Sequence, residues 1–136
     1  MAFLSRDDIL GRDDLRRVRL TVPEWGGDIF VRTMTGYEKD WYETQNYDDQ
    51  GNALPVQQRW LNLRARMAVL TVCDEQGNSL FTLADMDQLT RKSAPALDRI
   101  WEVATRLNGM APAAEEALKN ASATPNDVSG SGSPSL

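Results

Sequence analysis

Histidine is absent from all 136 residues. With it go the His-based catalytic triads, the imidazole metal ligands and the side chain that ordinarily exchanges protons near neutral pH. Cysteine occurs once, as Cys73, which rules out an intramolecular disulfide and a thiolate zinc cluster. At the end of an apolar helix it reads as a small buried hydrophobe. No run approaches the roughly eighteen uninterrupted apolar residues that a membrane-spanning helix needs. The opening residues MAFLSRDDIL set no basic segment ahead of an apolar run, so no secretory signal is expected, and a reducing, cytoplasmic setting is the default. An excess of positive charge is also missing. Fifteen Lys and Arg against 20 Asp and Glu give a net charge of −5, whereas affinity for a phosphate backbone is built on clustered cations. Arg16, Arg17 and Arg19 form a tight basic cluster, but Asp13 and Asp14 precede it, the pattern of a solvated face. Neither nucleic acid nor membrane is an expected partner.

What is present is organised around residues 56–73, VQQRWLNLRARMAVLTVC. Trp60, Leu63, Met67 and Leu70 follow the spacing of one helical face, and Leu61, Ala65, Ala68 and Val72 widen the apolar arc beyond what a surface helix needs. The pattern predicts a single central helix. Arg59, Arg64 and Arg66 are expected on the remaining watered side, or with their alkyl stems along the edge of the core.

Before it, Ser5 caps a short helix to Leu10, with Asp7 and Asp8 at its positive end. Val18, Leu20 and Val22 then alternate with polar residues, PEWGGD supplies turn chemistry, and residues 29–34 resume an extended pattern. This predicts a two-stranded antiparallel hairpin, which must pack one face on helices because a lone hairpin is marginal in water. Thr35 and Glu38 have capping-box spacing, so a helix starts there and carries Tyr37, Trp41 and Tyr42 to about Asn46. Asp48–Asn52 and Asp74–Asn78 are near echoes, DDQGN and DEQGN. They resemble the start of a calcium loop but lack its alternating acidic ligands and distal glutamate, so both read as turns. Thr82 with Asp85 marks another helix start, and Leu97, Ile100, Trp101, Ala104 and Leu107 stripe a last helix from about Ala94 to Asn108, ended by Gly109.

The expected fold class is α+β: an N-terminal β-hairpin packed on about four helices within residues 1–110, followed by a disordered tail rich in Ala, Ser, Gly and Pro over 111–136. No constellation for catalysis, metal or cofactor binding stands out. The paired carboxylates Asp7/Asp8, Asp13/Asp14 and Glu115/Glu116 lack apolar surroundings that would raise a pKa. Trp60 and Trp101 sit on apolar stripes and read as core. Trp25 lies in a polar, glycine-flanked turn, and the successive Trp41 and Tyr42 cannot both face one core. Trp25, Trp41 and Tyr42 are therefore the candidate partner-binding residues, since aromatics concentrate where interfaces are strongest.

Three blocks read together carry a resemblance: LTVPEWGGDIFVRTMTGYEKDWYE (20–43), NLRARMAVLTVCDEQGNSLFTLADMDQL (62–89) and SAPALDRIWEVATRLNGM (93–110). The VPEWGG turn stepping through VR and TG into a helix, the D-x-x-GN-x-LF turn, and the LDR…RLNG helix are its most specific parts. Over most of residues 1–110 the chain resembles the tail assembly chaperones of long non-contractile-tailed bacteriophages and prophages. The resemblance implies a helix-rich α+β fold without enzymatic activity or cofactor. It also implies action in the host cytoplasm, where such proteins bind the tape measure protein, keep it soluble and help recruit tail tube subunits, and it implies absence from the finished virion. A Ser/Gly-rich end is compatible with the linker of a C-terminally extended frameshift product. Self-association is a further expectation, and a structural minor tail or head–tail joining protein is the alternative. The resemblance brings no functional residues with it, so the three aromatic candidates rest on physical reasoning alone.

Overall fold

The computed structural model describes residues 2–110, and the predicted tail over 111–136 lies outside them. Ser5 opens helix α1 (Arg6–Leu10) with a complete capping box to Asp8. Strand β1 (Arg17–Val22) runs antiparallel to β2 (Gly27–Arg32), in a register that sets Val18 against Val31 and Leu20 against Ile29. The reversal is a 3-10 turn at Pro23–Trp25 closed by Gly26, whose φ of 75° lies in the left-handed region that glycine reaches without steric cost.

Helix α2 (Gly36–Thr44) begins with the Thr35/Glu38 capping box in place. The Asp48–Asn52 turn then reverses the chain and closes on the isolated Tyr47–Ala53 bridge.

The central segment departs from the predicted single helix. It divides into α3 (Val56–Trp60) and α4 (Leu63–Thr71), separated by Leu61 in extended conformation and Asn62 at φ 60°, φ positive among the described residues outside glycine only here. Leu61, expected on the broad apolar arc, is consequently exposed. Periodicity continues across the break because both halves must offer apolar side chains to one core. The connecting backbone is unaffected by that requirement.

The end of the segment departs too. Val72 and Cys73 form a short strand β3, paired antiparallel with Val31 and Phe30 of β2, so the expected hairpin is part of a three-stranded sheet in the order β1-β2-β3. Cys73 is a buried free thiol, as its apolar neighbourhood implied, although its backbone is in the sheet and not at a helix end. Asp74–Asn78 then repeats the earlier turn. In both turns the aspartate Oδ1 accepts from the backbone N–H groups two and four residues on, at 2.9 Å each. The carboxylate that a calcium loop would turn toward an ion is occupied with its own backbone.

After a 3-10 turn capped by Thr82 and Asp85, α5 (Met86–Leu89) is short, and α6 (Ala94–Leu107) is the longest element. Ser93 accepts from Ala96 N–H at its start, and Gly109 follows its end at φ 70°. Helix α6 buries Ala96, Leu97, Ile100, Trp101 and Ala104, packing chiefly on α4 and on the sheet face formed by β1 and β2. Two apolar clusters result. The first joins Val31, Met34, Tyr42, Leu63, Met67, Trp101 and Ala104, and the second joins Ala65, Ala68, Val69, Val72, Leu89 and Ile100. The architecture is the predicted α+β fold, with α4 and α6 shared between both clusters.

Candidate functional site

Among the described residues no group of acidic or cysteine side chains is arranged to hold a metal ion, and no helix is long and apolar enough to cross a membrane. Exposed apolar groups and charged side chains in unusual settings are the features that stand out. The sequence-predicted residues fall into three different settings.

Trp25 stands at the end of the hairpin turn. It is half-buried, with one side against the second cluster. The turn itself is tied to α6 by Glu24, whose carboxylate accepts from Arg99 Nε at 2.9 Å and Nη2 at 3.2 Å. The same bonds hold the Glu24 carboxyl below its ordinary range. This ion pair holds the indole over α6 and the second cluster.

Trp41 and Tyr42 diverge, as adjacent residues on a helix must. Tyr42 turns inward, only 6% exposed, and burial pushes its phenol well above the ordinary tyrosine value. Trp41 stays half-buried at the rim of the first cluster, so of the pair it is Trp41 that keeps indole surface toward solvent. Trp60, at the end of α3, occupies a similar marginal place against the same cluster.

The side chain that sequence reasoning misplaced is Arg66. Expected at the watered edge, it is 5% exposed on α4. Its Nη2 donates to the carbonyls of Arg59 at 2.7 Å and Leu61 at 3.2 Å, which the interruption of the helix leaves without their usual amide donors. The guanidinium also lies 5.8 Å from the centre of the Tyr42 ring, within cation–π range. Its Nη1 is buried without an acceptor, and burial lowers its pKa. No sequence signal marks this arrangement, because the carbonyls it satisfies exist as acceptors only once the chain breaks at Leu61.

The other buried arginine, Arg32, is handled differently. It is 6% exposed, forms a two-pronged pair with Glu38 at 2.9 and 2.8 Å, and reaches Ser79 Oγ at 3.2 Å. Burial by itself raises the Glu38 carboxyl, but the bonds from Arg32 and Thr35 outweigh it and leave that group below its ordinary value. Glu38 thus closes the capping box of α2 and neutralises a cation at the end of β2.

Exposed apolar surface is concentrated elsewhere. Every residue from 2 to 14 is exposed, including Phe3, Leu4, Ile9 and Leu10 around α1. A shallow cleft lined by Leu15, Arg16, Arg17, Val18, Phe30 and Glu75 opens at the start of β1, where Arg17 Nε donates to the Glu75 carbonyl at 2.7 Å.

The chain's relationships decide among the classes this geometry leaves open. The family model described as phage tail assembly chaperone matches residues 11–120. This chain belongs to that family. Among solved structures it is similar to the bacteriophage HK97 tail assembly chaperone, with a TM-score of 0.54 and 20% identity over 71% of this chain and 84% of that one. At that identity the likeness establishes a shared fold. No curated protein matches the chain in sequence. As a tail assembly chaperone, the protein has a surface for tail proteins as its functional site.

Proposed function

We propose that this chaperone binds the tape measure protein during tail morphogenesis, holding its apolar helical segments in solution until tail tube subunits assemble around it. The observation that carries the reading is the family match over most of the folded chain. In support stands a net charge of −5, which favours soluble complexes. On this reading the protein works without enzymatic chemistry in the host cytoplasm, is left out of the finished virion, and uses Trp25, Trp41 and the neighbourhood of Tyr42 as contact surface. Self-association is compatible with it.

The test is co-expression with the tape measure protein of the same phage, followed by capture of the tagged chaperone and mass spectrometry. A raised soluble yield of the tape measure protein, recovered with the chaperone, is the expected result. Unchanged yield and no recovery, together with stoichiometric amounts of this chain in purified virions, would instead identify a structural tail or head–tail joining component. Trp25→Ala is expected to retain cooperative unfolding while weakening capture. Loss of cooperative unfolding would assign the indole to the core.

A further inference from the structure

Two arginines are almost equally buried, and the fold treats them differently. Each keeps one buried nitrogen without an acceptor, Nε in Arg32 and Nη1 in Arg66, but Arg32 has the Glu38 carboxylate on its other two nitrogens, whereas Arg66 has only carbonyl oxygens on Nη2 and the Tyr42 ring face. No carboxylate among the described residues pairs with Arg66. Removing a guanidinium from water without an anionic partner is costly, and an apolar side chain of similar length on α4 would avoid that cost. The two carbonyls explain why Nη2 turns inward, but they leave the buried charge without an anion.

What covers Arg66 is lightly held. Helix α3 buries none of its five residues, Val56 and Leu61 at its two ends are 48% and 64% exposed, and it joins α4 through Asn62 in the left-handed region. At its C-terminal end the Arg59 carbonyl accepts from Arg66, Arg59 is itself half-buried with its Nε enclosed, and the half-buried Trp60 ring packs against the first cluster. Tyr42, whose ring faces Arg66, belongs to the first cluster, and Trp41 and Trp60 pack against that same cluster. Tryptophan, tyrosine and arginine together make up the side-chain set that dominates binding energy at protein interfaces.

We infer that the α2–α3 side is a docking surface for an apolar helical segment carrying a carboxylate, which reaches Arg66 Nη1 when α3 swings aside about Leu61 and Asn62. The carboxylate supplies the acceptor that the fold withholds, in the two-pronged geometry that Glu38 already gives Arg32, and the segment's apolar side chains pack on Trp41 and Trp60. Releasing the Arg59 and Leu61 carbonyls to water as α3 moves frees Nη2 for the same anion. The inference deepens the chaperone reading and rests on it: it names the kind of tape measure segment recognised.

The experiment measures binding of soluble fragments of the tape measure protein from the same phage to the full chain and to Arg66→Met. The variant is expected to unfold cooperatively at an unchanged or higher Tm while losing at least tenfold in affinity for the fragment that the wild type binds best. Equal affinity of the two proteins overturns the docking site and leaves the chaperone reading standing. Failure of the wild type to bind any fragment overturns both. If Arg66→Met does not fold, hydrogen exchange on the wild-type complex decides. Altered protection at amides 57–66 supports the site, and unchanged protection there overturns it.

Discussion

Removing Glu38 tests whether the buried Arg32 depends on its partner. Arg32 retains 7% and Glu38 23% of side-chain exposure, and the two meet through paired bonds of 2.9 and 2.8 Å. Glu38→Ala leaves the guanidinium with the Thr33 carbonyl and Ser79 Oγ, an incomplete substitute for a carboxylate. Stranding a buried charge in this way costs about 3–5 kcal/mol. Loss of the capping contact from Glu38 Oε1 to Thr35 N–H adds about 1 kcal/mol. The expected total is roughly 5 kcal/mol, a fall in Tm of roughly 15 °C or more for a domain of this size. Glu38→Gln separates the two effects, because the amide oxygen can still close the cap while the charge is gone, so it should lose about 1 kcal/mol less than Glu38→Ala. The pH dependence carries a definite sign. A carboxyl whose folded pKa lies below its unfolded value stabilises fully above the unfolded value, about 4.3, and loses that contribution as pH falls through the folded value. The gap between wild type and Glu38→Gln should therefore be constant near neutrality and close under acid. Urea unfolding followed by circular dichroism from pH 7 to pH 3 measures all of this. A loss below about 1 kcal/mol in Glu38→Ala would place the pair among solvent-screened surface contacts and refute the reasoning.

Met67 is fully buried where α4 meets the first cluster, so Met67→Ala should cost roughly 3 kcal/mol in the same assay through the cavity it leaves. The break before α4 makes opposite demands at Asn62: Asn62→Gly should be neutral or slightly stabilising, whereas Asn62→Ala, forced to φ 60°, should lose about 1 kcal/mol. The twin turns offer matched tests, since Asp48→Ala and Asp74→Ala each remove two backbone bonds of 2.9 Å. Each should cost on the order of 1 kcal/mol, and the gap in protection against hydrogen exchange should stay within its own loop.

Residues that act on their nearest neighbours could be read directly. Ser5 with Asp8, Thr35 with Glu38, and Thr82 with Asp85 all close as capping boxes, because a hydroxyl and a carboxylate three residues apart meet the first orphan amides of a helix whatever lies around it. Gly26 and the two D-x-x-G-N turns follow from similarly short-range sterics. For the candidate site, the sequence marked Trp25, Trp41 and Tyr42 and required the last two to diverge, but which of them would face inward depends on where α4 lies against α2.

The sequence by itself determined the α+β composition, the hairpin and its turn, the helix starts, and the stripe that buries α6. Each is encoded by spacing or by a side chain that bonds its own backbone. The tertiary structure alone decided three things: the break at Leu61–Asn62, the third strand at Val72–Cys73, and the burial of Arg66. Two residues of β3 are too few to show a period, and their extended form is maintained by Phe30 and Val31, some forty residues earlier in the chain. Arg66 turns inward because the break exposes the carbonyls of Arg59 and Leu61 beside it, and those acceptors come into being only when the whole core has assembled.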